Sequence, residues 1–164
     1  MNAKERREFV RSHRIGVFGY NRREHGPAMS VVYYVMDGDD ILISTMAERA
    51  KAKAVARNPR VSFCVLDEQW PPTYLLVHAT ARIVTDFEAV VNLRMRIAGL
   101  MAQQPIPESH RPEIAETSRR EKRVMLRLTP YMTFESPPRH VWQLDDVKGL
   151  THDLGTSLPW NAAP

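Results

Sequence analysis

Between Ser44 and Lys53 the chain sets two hydroxyls, Ser44 and Thr45, ahead of three cations, Arg49, Lys51 and Lys53. Hydroxyls followed by cations are the chemistry that holds a phosphate, because hydroxyls donate to its oxygens while the cations balance its charge. Thr45 and Glu48 have the S/T-x-x-E spacing of a capping box, which predicts a helix beginning at Thr45 and running to about Arg57. The unpaired N–H groups of a first helical turn, together with the positive end of the helix dipole, favour an anion there. A plainer reading stands beside this one. Arg49, Lys51 and Lys53 also suit the solvated face of an amphipathic helix whose apolar stripe is Ala50, Ala54 and Val55.

Other chemistry is sparse. The histidines, His13, His25, His78, His110, His140 and His152, show no metal-binding spacing such as H-E-x-x-H, so no metal site is expected. The single cysteine, Cys64, lies inside the apolar run Val61 to Leu66 and reads as a core thiol without a disulfide partner. There is no G-x-S-x-G elbow, no G-x-G-x-x-G and no G-x-x-x-x-G-K-[ST], which removes the common hydrolase, dinucleotide and P-loop signatures. No catalytic side chain is assigned.

The elements that would position the cations can be read in order. Lys4 to Ser12 predicts a short charged helix turning Phe9 and Val10 inward, and Ile15 to Tyr20 a first strand. Ala28 to Met36 is rich in β-branched and aromatic residues; the adjacent Tyr33 and Tyr34 must face opposite sides, one to the core and one toward a ligand or a partner. Asp37-Gly38-Asp39 is a hairpin turn leading to a strand over Ile41 to Thr45. Asn58-Pro59 stops the helix and Arg60 to Leu66 returns to strand.

Trp70-Pro71-Pro72 reads as a loop. Tyr74 to Val84 alternates, with Leu76, His78, Thr80 and Arg82 on one face and Leu75, Val77, Ala79, Ala81 and Ile83 on the other. Thr85 and Glu88 suggest a second capping box ahead of a helix ending near Gln103. Ile106 to Arg120 is partly helical, Arg123 to Thr129 is a strand, and Tyr131 to Glu135 extends the sheet after Pro130. Residues 1–135 are expected to form one barrel domain; 136–164 read as an irregular tail whose Trp142 and Trp160 anchor it to the barrel or to a partner subunit. The pattern predicts an α+β, mainly β fold: a six-stranded antiparallel β-barrel with flanking helices.

With 164 residues the chain has enough length for one domain with a proper core, and its 43% apolar and 26% charged residues are those of a globular protein. The net charge of +4 is spread along the chain without a basic run, which argues against nucleic acid and suits a small phosphorylated ligand. The first residues lack the apolar stretch of a signal peptide and no segment approaches membrane-spanning length, so a cytoplasmic protein without a membrane partner is expected.

Three stretches resemble the pyridoxamine 5′-phosphate oxidase-like superfamily of flavin and deazaflavin (FMN or F420) split β-barrel proteins: Pro27 to Val35, Asp37 to Thr45, and Arg49 to Lys53 continued by Arg57 to Ser62. The resemblance implies the FMN-binding split-barrel fold and a homodimer with two cofactor sites at the subunit interface. By position it implies that Lys51 contacts the cofactor phosphate, helped by Arg49, Thr45 and Ser44, and that the strand carrying Met29, Ser30, Val31 and Tyr33 lines the ring system. True pyridoxamine phosphate oxidases carry Arg and Lys where this chain has Ser30 and Val35, and the F420-binding branch commonly lacks them. The implied function is therefore an F420-dependent oxidoreductase passing hydride between the deazaflavin and a small unsaturated organic substrate. The alternatives are an FMN-dependent flavoprotein of the oxidase type and a non-catalytic flavin- or deazaflavin-binding protein.

Overall fold

A computed structural model describes residues 1–69, 73–135 and 155–162; the loop expected at 70–72 and Trp142 lie outside these residues. The chain runs α1 (Ala3–Ser12), β1 (Ile15–Asn21), β2 (Pro27–Asp37), β3 (Asp40–Met46), α2 (Ala50–Arg57), β4 (Arg60–Asp67), β5 (Thr73–Val84), α3 (Phe87–Ala102), a 3₁₀ turn (Glu108–His110), α4 (Arg111–Arg120), β6 (Arg123–Glu135) and β7 (Thr156–Pro159). All pairings are antiparallel. The strand order is β3-β2-β1-β4-β5-β6, and β3 pairs with β6 to close a six-stranded barrel.

The strand alternation read from the sequence puts one face of each strand inside. Phe18, Tyr34, Ile41, Ile43, Phe63, Val77, Leu126 and Leu128 are fully buried and fill the barrel, as they must in one too narrow for a channel. Tyr34 and Phe63 meet edge to face with ring centroids 4.9 Å apart. Of the adjacent tyrosines, Tyr34 is the core residue; its hydroxyl donates to the Val10 carbonyl at 2.5 Å, and burial pushes its pKa up. Gly16 is needed where it stands, because a Cβ there would enter the Phe63 ring. Gly38 takes the left-handed φ of +59° that the β2–β3 hairpin turn demands.

Four expectations need correction. The helix after β3 does not begin at Thr45. Thr45 is a buried strand residue opposite Val124, and Glu48 reaches across to Lys122 Nζ at 2.6 Å instead of closing a capping box. The ladder from β3 to β6 runs on to the pair Met46 and Arg123, so backbone pairing overrides the local helix signal, and α2 starts only after Arg49 as N-cap. The second capping box is likewise absent: Asp86, not Thr85, caps α3, accepting from the Ala89 N–H at 2.7 Å. Cys64 is half-buried on the outer barrel face rather than in the core, because Phe63 and Val65 take the inward positions. Finally, Thr156–Pro159 is not irregular but a seventh strand, pairing with Met132 to Glu135 along the edge of β6 that β3 leaves free.

That last strand is fastened by a buried charge. Arg6 of α1 is 1% exposed, and its Nη1 donates to Thr133 Oγ1 at 2.9 Å and to the Thr156 carbonyl at 3.1 Å, while Nη2 donates to Thr156 Oγ1 at 2.7 Å. Glu135, itself 3.3 Å from Nη2, also accepts from the Met1 amine at 2.8 Å. Trp160 then enters the core at 2% exposure, its backbone N–H donating to the Tyr131 carbonyl at 3.1 Å. Removing one member of a buried ion pair leaves the other charge poorly compensated. Arg6→Ala should therefore lower unfolding stability by about 3 kcal/mol, read as a drop in the urea midpoint at unchanged slope.

Candidate functional site

β2 and β3 separate at one end of the barrel. They pair only from Tyr34 with Ile43 to Asp37 with Asp40; beyond that point Pro27 to Tyr33 pair with β1 alone and Ser44 to Met46 with β6 alone. The split opens two adjoining cavities of about 460 and 420 Å³, and Ser44, Lys51 and Arg123 line both. The first also takes in Ser30, Thr45, Arg49 and Tyr20. The second is walled by Val31, Tyr33 and the flank of α3 with Arg94, Ile97 and Met101, and Ile114 of α4 closes it.

Seven of the eight residues singled out from the sequence thus gather at the split: Ser30, Val31, Tyr33, Ser44, Thr45, Arg49 and Lys51. Met29 lines neither cavity and stands 76% exposed on the outer barrel face. Sequence reading missed Arg123 and Arg94, because only barrel closure and α3 packing bring β6 and the helix to Lys51. Arg123 is aimed by Glu121, whose carboxylate accepts from its Nε at 2.6 Å. Arg94 is held by Thr117 Oγ1 at 2.9 Å and Ser118 Oγ at 2.8 Å, which ties α4 against α3.

The electrostatics are those of a site built for an anion. Burial pushes the Lys51 ammonium below its usual value of 10.5, and Arg49 and Arg123 push it further. Burial also lowers Arg94, with Arg123 adding to the effect. No side chain caps the first turn of α2. The hydroxyls of Ser30 and Ser44 are buried without a hydrogen-bond partner among the described residues, a costly state unless a ligand oxygen completes them. Cations that repel one another beside orphaned donors fit a phosphate-bearing group. Among the described residues no Asp, Glu, His or Cys lines either cavity.

A sequence model of the pyridoxamine 5′-phosphate oxidase family matches residues 3–133. The chain belongs to that family. Its split-barrel fold recurs in a conserved hypothetical protein of Mycobacterium tuberculosis, 24% identical over 94% of this chain and 91% of that one, with a TM-score of 0.72. An F420 reductase is 20% identical over 77% of this chain and 93% of its own, with a TM-score of 0.61. A FAD-binding protein from Mesorhizobium loti is 16% identical over 81% and 92% of the two chains, with a TM-score of 0.59. At these identities the likeness is one of fold. No curated protein sequence matches. Among the described residues no cluster of His, Cys, Asp or Glu could hold a metal ion, and no helix is long and apolar enough to cross a membrane.

The depressed Lys51 pKa carries a sign that can be tested. Protonated Lys51 attracts the anion, and the charge is lost as pH rises through the lowered pKa. Affinity for a phosphate-bearing ligand should therefore fall as pH rises, starting below the pH at which an ordinary lysine loses its charge, and Lys51→Arg, which keeps its charge, should move that fall to higher pH in the same titration.

Proposed function

We propose that the protein is an F420-dependent oxidoreductase, in which the cofactor phosphate sits at Lys51, Arg49 and Arg123 and the ring system lies along the Val31 to Tyr33 edge of β2. The single observation that carries the reading is the pair of orphaned hydroxyls, Ser30 and Ser44, buried in the same split as these cations. A bound deazaflavin supplies hydride chemistry; the protein binds it, orients it and excludes water. Lys51 and Arg123 offset the anionic charge, and Ser44 donates from between them. The apolar wall of Ile97, Met101 and Ile114 suits a small unsaturated organic substrate lying against the ring.

F420 is favoured over FMN because β2 brings a hydroxyl and an apolar residue where the oxidases bring cations. Ser30 faces the split, whereas Val35 is buried against α3 and lines neither cavity of it. FMN is the second reading, since three cations beside two hydroxyls also match a phosphate monoester.

The same reading includes a homodimer. On the outer face the cross-strand row Val31, Val17, Cys64 and Leu76 is continued by Tyr33 opposite Ile15, and Met29, Val31, Ile15 and Leu66 are exposed at 76%, 71%, 40% and 50%. A contiguous apolar sheet face beside an open split is the surface a second copy would cover. Val31→Lys should convert the dimer to monomer in light scattering and weaken cofactor binding with it.

Fluorescence titrations of the purified protein with F420 and with FMN, repeated on Lys51→Ala, test the cofactor. Tighter binding of F420, weakened about tenfold or more in the variant, is the expected result. Preference for FMN makes the second reading the working one. Binding of F420 without reoxidation by any conjugated acceptor leaves a carrier, and binding of neither overturns the proposal.

A further inference from the structure

Helix α3 has a second flank. Arg94, Ile97 and Met101 face the split, whereas Met95, Arg96 and Leu100 face a larger groove of about 930 Å³ that shares no residue with it. That volume is within the range of small-molecule sites. The groove is bounded by α3, the turn after it at Gln103 to Ile106, the end of α1 and the tip of the β2–β3 hairpin. Gly99 shapes its end: the Gln104 N–H donates back to the Gly99 carbonyl at 3.1 Å, and a Cβ on Gly99 would come within 3.3 Å of the Gln104 carbonyl oxygen.

We infer that this groove is a second ligand site, for a small molecule carrying one carboxylate or sulfonate on an apolar body. The floor is apolar. Val35 and Met95 are buried beneath it, and the one polar atom of Tyr34 is already spent on the Val10 carbonyl. The rim is cationic. Arg11, Arg14 and Arg96 line it against a single carboxylate, Glu108, which Arg111 already engages at 2.6 Å.

The state of each guanidinium gives the ligand its charge. Arg96 spends one N–H on the Met36 carbonyl at 2.6 Å, which steadies it over the groove with no carboxylate of its own. The Arg14 side chain has no partner among the described residues. Arg11 is engaged by the Gly38 carbonyl at 3.1 Å, by Glu8 at 3.5 Å and by Asp39 at 3.6 Å. Two guanidiniums with free donors beside an apolar floor complement one planar anion and its hydrocarbon portion. A phosphorylated cofactor fits poorly here, because the one hydroxyl lining the groove among the described residues, that of Tyr34, is already given to the Val10 carbonyl.

The probe is 8-anilinonaphthalene-1-sulfonate, compared with its uncharged counterpart N-phenyl-1-naphthylamine, on the full chain. Saturable binding of the sulfonate at one per chain is expected. The double variant Arg14→Gln, Arg96→Gln should weaken it about tenfold while leaving the amine unchanged, and Lys51→Ala should leave both unchanged. Arg14→Gln alone breaks no described side-chain contact, so it keeps its fold and should weaken the sulfonate by about threefold. Sulfonate affinity that is the same in wild type and Arg14→Gln, or binding that never saturates, overturns the inference. Loss of the sulfonate in Lys51→Ala also overturns it by placing the probe in the split, whereas failure of F420 or FMN to bind leaves it standing.

Discussion

The hydrogen-bond ladder between β2 and β3 stops after Tyr34 and Ile43, and the site exists because it stops there. A fully closed barrel has no unpaired strand edge and only its filled interior. Here the residues from Pro27 to Tyr33 keep one edge on β1 and turn the other toward the opening, while β3 is carried away by its own ladder to β6. Pairing that holds each strand on one side and frees it on the other is what places Ser30 and Ser44 in the gap. The strands themselves are held rigidly by a core in which Phe18, Tyr34 and Phe63 leave no slack.

Charge in the opening follows the same geometry. Lys51 comes from the first turn of α2, with Arg49 as that helix's N-cap, Arg123 from the first residue of β6 and Arg94 from the middle of α3, so the positive potential is gathered from three elements. The two arginines from outside α2 are held by protein groups: Glu121 orients Arg123, and Thr117 and Ser118 orient Arg94. The mutual repulsion of these cations is unfavourable, and an anion bound between them would relieve it. Under the proposed function such a site is preorganised, because little would need to move when the ligand arrives.

Much of the architecture was legible because its signals are periodic. Alternation identified both faces of β5, adjacency separated Tyr33 from Tyr34, and Asp37-Gly38 marked the hairpin. The helix start at Thr45 misled because a capping box is a local signal, and Met46 is claimed by a strand far along the chain. Arg123 escaped for the converse reason: nothing beside it in sequence hints at Lys51, and only closure of the barrel makes them neighbours. β7 is too short and too close to prolines to show alternation, and its partner strand alone defines it. All eight residues singled out lie in one continuous run of sheet and helix, and Met29 alone among them lines neither cavity of the split; the two arginines added by the fold lie far outside that run.

The Arg6 fastening reaches from the first helix to Thr156, 150 residues away, and the core is plugged by Trp160 beside it. Joining residues this far apart closes a long loop of chain, and such contacts are slower to find in folding than pairings between neighbouring strands. The grip of α1 on β7 is thus a contact that can form only after the intervening barrel has brought its two ends together.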